Sequence, residues 1–457
     1  MANFTYHPPT RTHCAVCEEL IKTKVPPLIE SLNGKASSSS SFPFHNWYYF
    51  VLGYTPQFPN FILDRENVSP EQFVVDPFMG AGTTLLACKQ RGIKSCGIDA
   101  NDYFFDVVKT KTTWKINISE AKKYSKKIIK KVSDTFLDFK NETNDNQSNL
   151  FLNGIQSWQE YAEKHRPEML NIKYISDIPF AKLHLLKTTV DETIKSGTIK
   201  KLFDLAISSI IVPVSNVRYG PGFGIGKPKT DIDVLGIFEK KINRMIEDLE
   251  TANESQIRTS SEIKHGDSRQ IASYFPANSI DLMITSPPYP GDHEYTKHTR
   301  LELIFMGYAL DKEQFRTIKK RMIRGSTTNI YKEDKETEHV MHFESIEKIT
   351  ALIKERLTSD GATSGFEKLY TRLVWEYFGG MYRMLTETHT VLKSGGKISL
   401  LVSDSHAFKM VHIRTADILA EIGLDIGYSR TDIELWQDKI STSHSYHLRE
   451  NIITLTK

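Results

Sequence analysis

Long apolar runs are absent from this chain of 457 residues. No stretch reaches the roughly 20 residues that a membrane-spanning helix needs, so a membrane protein of that kind is not expected. The first residues, Met1-Ala2-Asn3-Phe4, lack the basic-then-apolar pattern of a secretory leader, and a cytoplasmic location is the expectation. Net charge is also scarce. It is only +3 at neutral pH, so bulk charge does not announce a nucleic-acid binder. Cysteine is limited to four residues. Cys88 and Cys96 fall in apolar segments and read as reduced core side chains. Cys14 and Cys17, beside His13, make half of a zinc site that His7 or His45 could complete. No second cysteine pair exists and no metal is expected. The glycine-rich stretch at 216–231 does not match Gly-x-x-x-x-Gly-Lys-[Ser/Thr], so it is not an ATP phosphate loop.

What is present is concentrated in three short segments. The apolar run Ile280-Asp281-Leu282-Met283-Ile284 reads as a buried strand and ends in Thr285-Ser286-Pro287-Pro288-Tyr289. Two prolines in succession fix the backbone and supply no N–H, so the carbonyls there act only as acceptors. Acceptors plus an aromatic face suit a planar ring bearing an exocyclic amine. This is the pattern expected of an enzyme that methylates the amino group of a nucleobase. A second strand, Phe73-Val74-Val75-Asp76, runs into Pro77-Phe78-Met79-Gly80-Ala81-Gly82 and then a helical stretch opened by Thr83 and Thr84. Glycines at such a strand–helix turn let a ligand approach the backbone. A third strand, Ser95-Cys96-Gly97-Ile98, ends at Asp99, a carboxylate placed to grip ribose hydroxyls. Each signal alone is weak, and their joint presence is specific.

Together these segments resemble the amino-methylating DNA methyltransferases, which modify N4 of cytosine or N6 of adenine with S-adenosylmethionine. The resemblance covers roughly 45–109, 262–310 and 366–457. It implies that Asp76, Phe78, Gly80, Gly82 and Thr83 wrap the methionine end of the cofactor and that Asp99 holds its ribose. Asp267, in His265-Gly266-Asp267-Ser268, takes the acidic position near the adenine. Ser286, Pro287, Pro288 and Tyr289 hold the target base. A serine in place of the Asn or Asp of many relatives leans toward cytosine N4, with adenine N6 as the alternative. In many relatives the Ser-Pro-Pro-Tyr segment precedes the cofactor loop, whereas here the loop comes first.

The rest of the chain divides around those segments. Residues 1–44 form an N-terminal extension, with an expected helix at 18–32 and a five-serine loop at 37–41. Residues 45–109 hold the first part of the methyltransferase domain. They include an aromatic and proline segment, 44–58, that either packs near the cofactor or covers the sheet. Residues 110–260 form a mainly helical insertion, with helices expected at 117–137, 181–212 and 233–251 and an exposed loop at 138–149. Residues 261–289 carry the catalytic motif, 290–365 a second insertion, and 366–457 the end of the domain. In that last part a helix at 371–392 is expected to stop at Ser394-Gly395-Gly396, followed by a strand at 397–402 and a helix at 411–422. A closing antiparallel pair is expected at 426–435 and 451–456. Strands alternating with helices argue an α/β fold, a Rossmann-like and mostly parallel sheet closed by an antiparallel hairpin.

Double-stranded DNA is the expected partner, with a cognate restriction endonuclease as a possible second. Basic runs at 122–131 and 316–324 suit a phosphate backbone or a solvated helix face. The loop at 216–231, with Arg218, Tyr219 and Lys227, suits phosphates and unstacked bases. Lys320, Arg321 and Arg324 are the candidates in the second run. No cysteine lies beside the Ser-Pro-Pro-Tyr motif, so no covalent enzyme intermediate is expected. Two rival readings remain: an RNA methyltransferase acting on guanine N2, and an inactive nucleic-acid-binding protein that kept the fold.

Overall fold

The computed structural model describes residues 21–24, 42–142, 157–219, 223–254, 259–291, 294–359, 364–440 and 447–457. Its strands are β1 (Ile21–Lys24), β2 (Phe73–Asp76), β3 (Lys94–Asp99), β4 (Val217–Tyr219), β5 (Phe223–Ile225), β6 (Ser261–His265), β7 (Ile280–Thr285), β8 (Leu392–Ser403), β9 (Ser405–Phe408), β10 (Val411–Ile413), β11 (Arg430–Ile440) and β12 (His447–Thr456). Its helices are α1 (Gln57–Arg65), α2 (Thr83–Gln90), α3 (Asp102–Thr112), α4 (Ile118–Glu142), α5 (Trp158–His165), α6 (Asp177–Thr193) and α7 (Thr198–Val214), followed by α8 (Val234–Glu254), α9 (Arg300–Phe305), α10 (Lys312–Lys320), α11 (Glu344–Ser359), α12 (Tyr370–Val391) and α13 (Thr415–Ile426).

Eight strands form one sheet in the order β1-β11-β12-β8-β7-β2-β3-β6. Neighbours are parallel except where β12 lies antiparallel between β11 and β8. This is the mostly parallel, Rossmann-like α/β sheet with a closing hairpin that the alternation of strands and helices implied. The central strands are apolar because helices cover both faces. Val74, Val75, Leu282, Met283 and Ile284 are all buried. From β2 the chain steps to β3 and β6 on one side, and β7 then returns to the other side of β2. The switch between β2 and β7 opens a crevice at their carboxyl ends, where ligands of such sheets bind.

Gly97 sits inside β3 because a neighbour fills its place. A Cβ there would come within 2.6 Å of the Met79 sulfur and 2.9 Å of a Leu85 methyl.

The helical insertion packs against the sheet domain through α3 and the aromatic segment before α1. Phe44 stacks on Trp114 at 4.4 Å. The Trp47 indole donates to Asp248 of α8 at 2.9 Å, and the Tyr48 hydroxyl donates to Glu302 of α9 at 2.9 Å. Cys88 and Cys96 are buried, as their apolar surroundings implied. Among the described residues no helix is long and apolar enough to cross a membrane.

Four expectations about local structure need correction. Residues 21–24, assigned to a helix, form an edge strand parallel to β11. Pro26 and Pro27 immediately after it have no N–H to continue a helix. The helix expected to end at 137 continues to Glu142, and the rest of that loop, 143–149, lies outside the described residues. Gly395 and Gly396 do not cap α12, which ends at Val391. Gly395, at φ +73°, shapes a turn within β8, and the pair exchanges backbone hydrogen bonds with Lys457. The apolar run at 411–422 is split into β10 and α13, whose N-terminal cap is Arg414. Gly97→Ala is expected to lower unfolding free energy by about 1–3 kcal/mol through overpacking against Met79 and Leu85, measured by denaturant titration.

Candidate active site

The carboxyl ends of β2 and β7 meet at one buried carboxylate. Asp76 closes β2 and is fully buried. It accepts from the Tyr54 hydroxyl at 2.6 Å, from the Thr285 hydroxyl at 2.6 Å and from the Phe78 N–H at 3.1 Å. Burial raises its pKa, and these donors oppose that shift. The side chain therefore does not line a ligand space. It ties together the segment before α1, the glycine turn and the end of β7.

Beyond Asp76 the turn is shaped by two left-handed glycines, Gly80 at φ +45° and Gly82 at φ +82°. A Cβ on Gly82 would lie 2.8 Å from Val108, so α3 packs directly on this backbone. The space beside Gly80 is open, with no atom within 4 Å of where a Cβ would stand. Asp99 at the end of β3 braces the same turn, accepting from Gly80 N–H at 2.9 Å and Asn101 N–H at 2.8 Å. Burial pushes its carboxyl up to about 6 against the pull of those two N–H groups.

A cavity of about 860 Å³ opens over this turn. Pro77, Phe78, Met79, Gly80, Ala81, Thr83 and Asp99 line one part of it, and Ser286 and Pro288 line another. The glycine turn and the Ser-Pro-Pro-Tyr segment, more than 200 positions apart, thus face a single space. Ser286 donates its hydroxyl hydrogen to the Leu401 carbonyl of β8 at 2.9 Å. That leaves the oxygen lone pairs as acceptors. Pro287 is buried, and Tyr289 stands behind the cavity wall, its hydroxyl 3.2 Å from Ser286 Oγ and 3.3 Å from a Glu450 carboxylate oxygen. Asp267 also stands back. Arg269 engages both of its oxygens, and the neighbouring Ser268 lines the cavity in its place.

The remaining walls come from two other segments. Phe50, Leu52, Gly53 and Tyr54 come from the aromatic segment, so that segment both packs the helical layer and faces the cavity. Tyr295, Met322, Ile323 and Asn329 come from the second insertion. Arg321, assigned to DNA from its basic neighbours, lines the cavity, pairs with Asp102 at 2.8 Å and keeps a buried Nε with no hydrogen-bond partner.

The other residues assigned to DNA divide by exposure. Arg218, Lys227 and Lys320 are exposed. The glycine-rich loop is a small hairpin of β4 and β5, and Tyr219 packs on His298 at 5.3 Å with its hydroxyl buried. Arg324 is a correction: it is 4% exposed and holds Asp334 through two hydrogen bonds at 2.7 and 2.8 Å, out of reach of a phosphate. In the other basic run, Lys122 pairs with Glu250 and Lys131 with Glu192. His45 is buried, and Cys14 and Cys17 lie outside the described residues.

A family model described as DNA methylase, of the N6 and N4 type, matches residues 54–111, the span from Tyr54 through the glycine turn, Asp99 and α3. Type II methyltransferase M.BsoBI of Geobacillus stearothermophilus is 22% identical over 418 residues, covering 84% of this chain and 78% of that one. Type II methyltransferase M.AvaI of Anabaena variabilis is 22% identical over 448 residues, covering 88% and 83%. Type II methyltransferase M.MjaII of Methanocaldococcus jannaschii is 29% identical over 154 residues, covering 33% of this chain and 25% of its own length. No solved structure matches. The family match and the likeness over most of the chain support an amino-methylating DNA methyltransferase of the N6 and N4 type, and the mostly parallel sheet is consistent with a Rossmann-like methyltransferase fold.

Arg324→Ala is expected to destabilise the protein by about 3–5 kcal/mol, because Asp334 loses its ion pair and keeps the Tyr331 N–H as its donor. Lys320→Ala should stay within about 0.5 kcal/mol of the parent. Thermal or denaturant unfolding of the two variants checks both values.

Proposed function

We propose that this chain transfers a methyl group from S-adenosylmethionine to N4 of a cytosine extruded from duplex DNA. The observation that carries the reading is the single cavity shared by the glycine turn and Ser286. Its chemistry fits this cofactor: the Asp99 carboxylate accepts from hydroxyls, Phe50, Phe78 and Ile323 supply apolar surface for a purine ring, and Arg321 Nε offers an unmatched donor. S-adenosylmethionine supplies an electrophilic methyl on a sulfonium.

The protein's own work is positioning. An exocyclic amine on a base is a weak nucleophile because its lone pair is delocalised into the ring. Ser286, whose hydrogen is committed to Leu401, accepts one amine hydrogen, and the Pro287 carbonyl accepts the other. Both bonds favour a pyramidal nitrogen with a localised lone pair. Tyr289, with its hydroxyl 3.2 Å from Ser286 Oγ, offers its ring to the base once the base has entered. Extruding the base costs a few kcal/mol, which contacts to the flanking strand offset. Serine at position 286 favours cytosine over adenine. The likeness to type II methyltransferases supports a role beside a cognate restriction endonuclease.

Nucleoside mass spectrometry of duplex DNA from cells expressing the chain is expected to show N4-methylcytosine. N6-methyladenine instead would overturn the base assignment but keep the mechanism, and methylation of RNA alone would overturn the DNA reading. Ser286→Ala and Tyr289→Ala should each reduce methyl transfer by roughly 100-fold or more, a loss comparable to that of one oriented polar group in other active sites. Calorimetry should find cofactor affinity unchanged in both variants.

The second expectation concerns pH. Ribose hydroxyls bond more strongly to the ionised form of Asp99 than to the neutral form, and its pKa in the free protein is raised to about 6. The ionised form dominates above that value and is lost as pH falls through it. Cofactor affinity should therefore be flat above neutrality and about tenfold weaker at roughly pH 5. Asp99→Ala should bind weakly at every pH, as calorimetry across the range would show.

A further inference from the structure

A second groove lies against the outer side of the same walls. It is open to solvent and is lined by Lys297, Arg300, Lys312, Arg316 and Lys319. Glu294 is the one carboxylate among its described lining residues, and Lys319 already pairs with it at 3.0 Å. Five cations against one acid concentrate in this groove more positive charge than the net +3 of the whole chain. No ion pair engages Lys297, Arg300, Lys312 or Arg316 among the described residues, so their charges are available.

Their placement is ordered. Lys312, Phe315, Arg316 and Lys319 recur at the spacing of one face of α10. The Arg316 guanidinium lies 5.3 Å from the centre of the Tyr331 ring, and Lys320 Nζ lies 5.6 Å from it. Arg300, across the groove, lies over the Phe315 ring at 5.4 Å. Cation–π contacts of this kind hold long side chains on one side without neutralising them.

Three segments line both the groove and the active-site cavity. Tyr295 faces the cavity while Thr296 and Lys297 face the groove. Lys319 faces the groove while Arg321, Met322 and Ile323 face the cavity. Asn329 faces the cavity and Tyr331 the groove. A nucleotide whose base enters the cavity therefore leaves its neighbouring phosphates within reach of this row of cations. A line of cations with aromatic rings at its floor is the chemistry that tracks a nucleic-acid backbone.

We propose that this groove seats the phosphate backbone of the DNA strand flanking the target base. The proposal rests on the DNA methyltransferase reading above and assigns the backbone contact to Lys297, Arg300, Lys312, Arg316 and Lys319 rather than to Arg324 or the α4 run.

The test is binding of the full chain to a fluorescein-labelled, mixed-sequence DNA duplex by anisotropy at a series of salt concentrations. Lys312→Ala with Arg316→Ala, both at exposed positions of α10, should reduce the slope of log affinity against log salt by about two units. Lys312→Arg with Arg316→Lys keeps both charges and should retain the parent slope. Lys126→Ala with Lys130→Ala removes the same charge from α4 and should retain it too. An unchanged slope in the α10 alanine pair, or an equal loss in the α4 pair, would overturn the groove assignment. Groove-dependent binding to RNA but not to duplex DNA would overturn the DNA identity of the ligand. Groove-dependent binding of duplex DNA by a chain that methylates no DNA would uphold the groove and defeat the catalytic reading.

Discussion

The buried carboxylate of Asp76 is the constraint on which the active site depends. An unpaired carboxylate in the interior is costly, and it is tolerated only where donors surround it. Here the three donors come from Tyr54, Thr285 and the Phe78 backbone, so satisfying the charge fixes three segments at once. Thr285 is the residue before Ser286, and Phe78 opens the glycine turn. The bond network therefore sets the distance between the glycine turn and the Ser-Pro-Pro-Tyr segment. A group assigned from its motif to ligand contact acts instead as the pin that registers the two halves of the site.

Asp99 shows the complementary use of burial. It too is a strand-end carboxylate braced by backbone N–H groups, but its side chain faces the cavity. Burial raises its pKa to about 6, against the pull of only two backbone N–H donors. In the proposed reading, ligand hydroxyls complete what the protein leaves incomplete. The same logic applies to Ser286, whose single hydrogen is committed to the Leu401 carbonyl. A hydroxyl that is free to rotate offers a donor or an acceptor. One whose hydrogen is committed elsewhere presents lone pairs.

The parts of this architecture that were legible in the sequence are those encoded locally. A strand running into Asp76-Pro77-Phe78 and two glycines, a strand ending at Asp99 and a strand ending at Ser286-Pro287-Pro288 each declare themselves within a dozen residues. Their positions at strand ends were enough to infer one shared crevice. The walls drawn from Tyr295, Arg321, Met322, Ile323 and Asn329 were not legible, because their orientation is set by packing of the second insertion against the sheet rather than by any local pattern. Arg324 was misassigned for the same reason. It belongs to a basic run by composition, but its partner Asp334 becomes visible only when the chain folds back. The local errors have local causes. Gly395 and Gly396 look like a helix cap, yet they serve a turn paired with the chain's last residue, and no signal near 395 points to Lys457.

The placement of the two insertions follows from the sheet. One leaves after α3 and returns at β6, beside β3. The other leaves after β7 and returns through α12 to β8, beside β7. Each crossover still joins adjacent parallel strands, so the sheet's hydrogen bonds are indifferent to how much chain lies between. Lengthening a crossover is also entropically mild, since each doubling of loop length costs about 0.6 kcal/mol. Both insertions leave the sheet near its ligand-binding edge, so added chain can build walls there while the strands that carry Asp76, Asp99 and Ser286 stay in register. The second insertion uses this freedom twice, presenting Tyr295 and Met322 to the cavity and Lys297 and Lys319 to the basic groove. Neighbouring residues of the same short segments thus face the cavity on one side and the basic groove on the other.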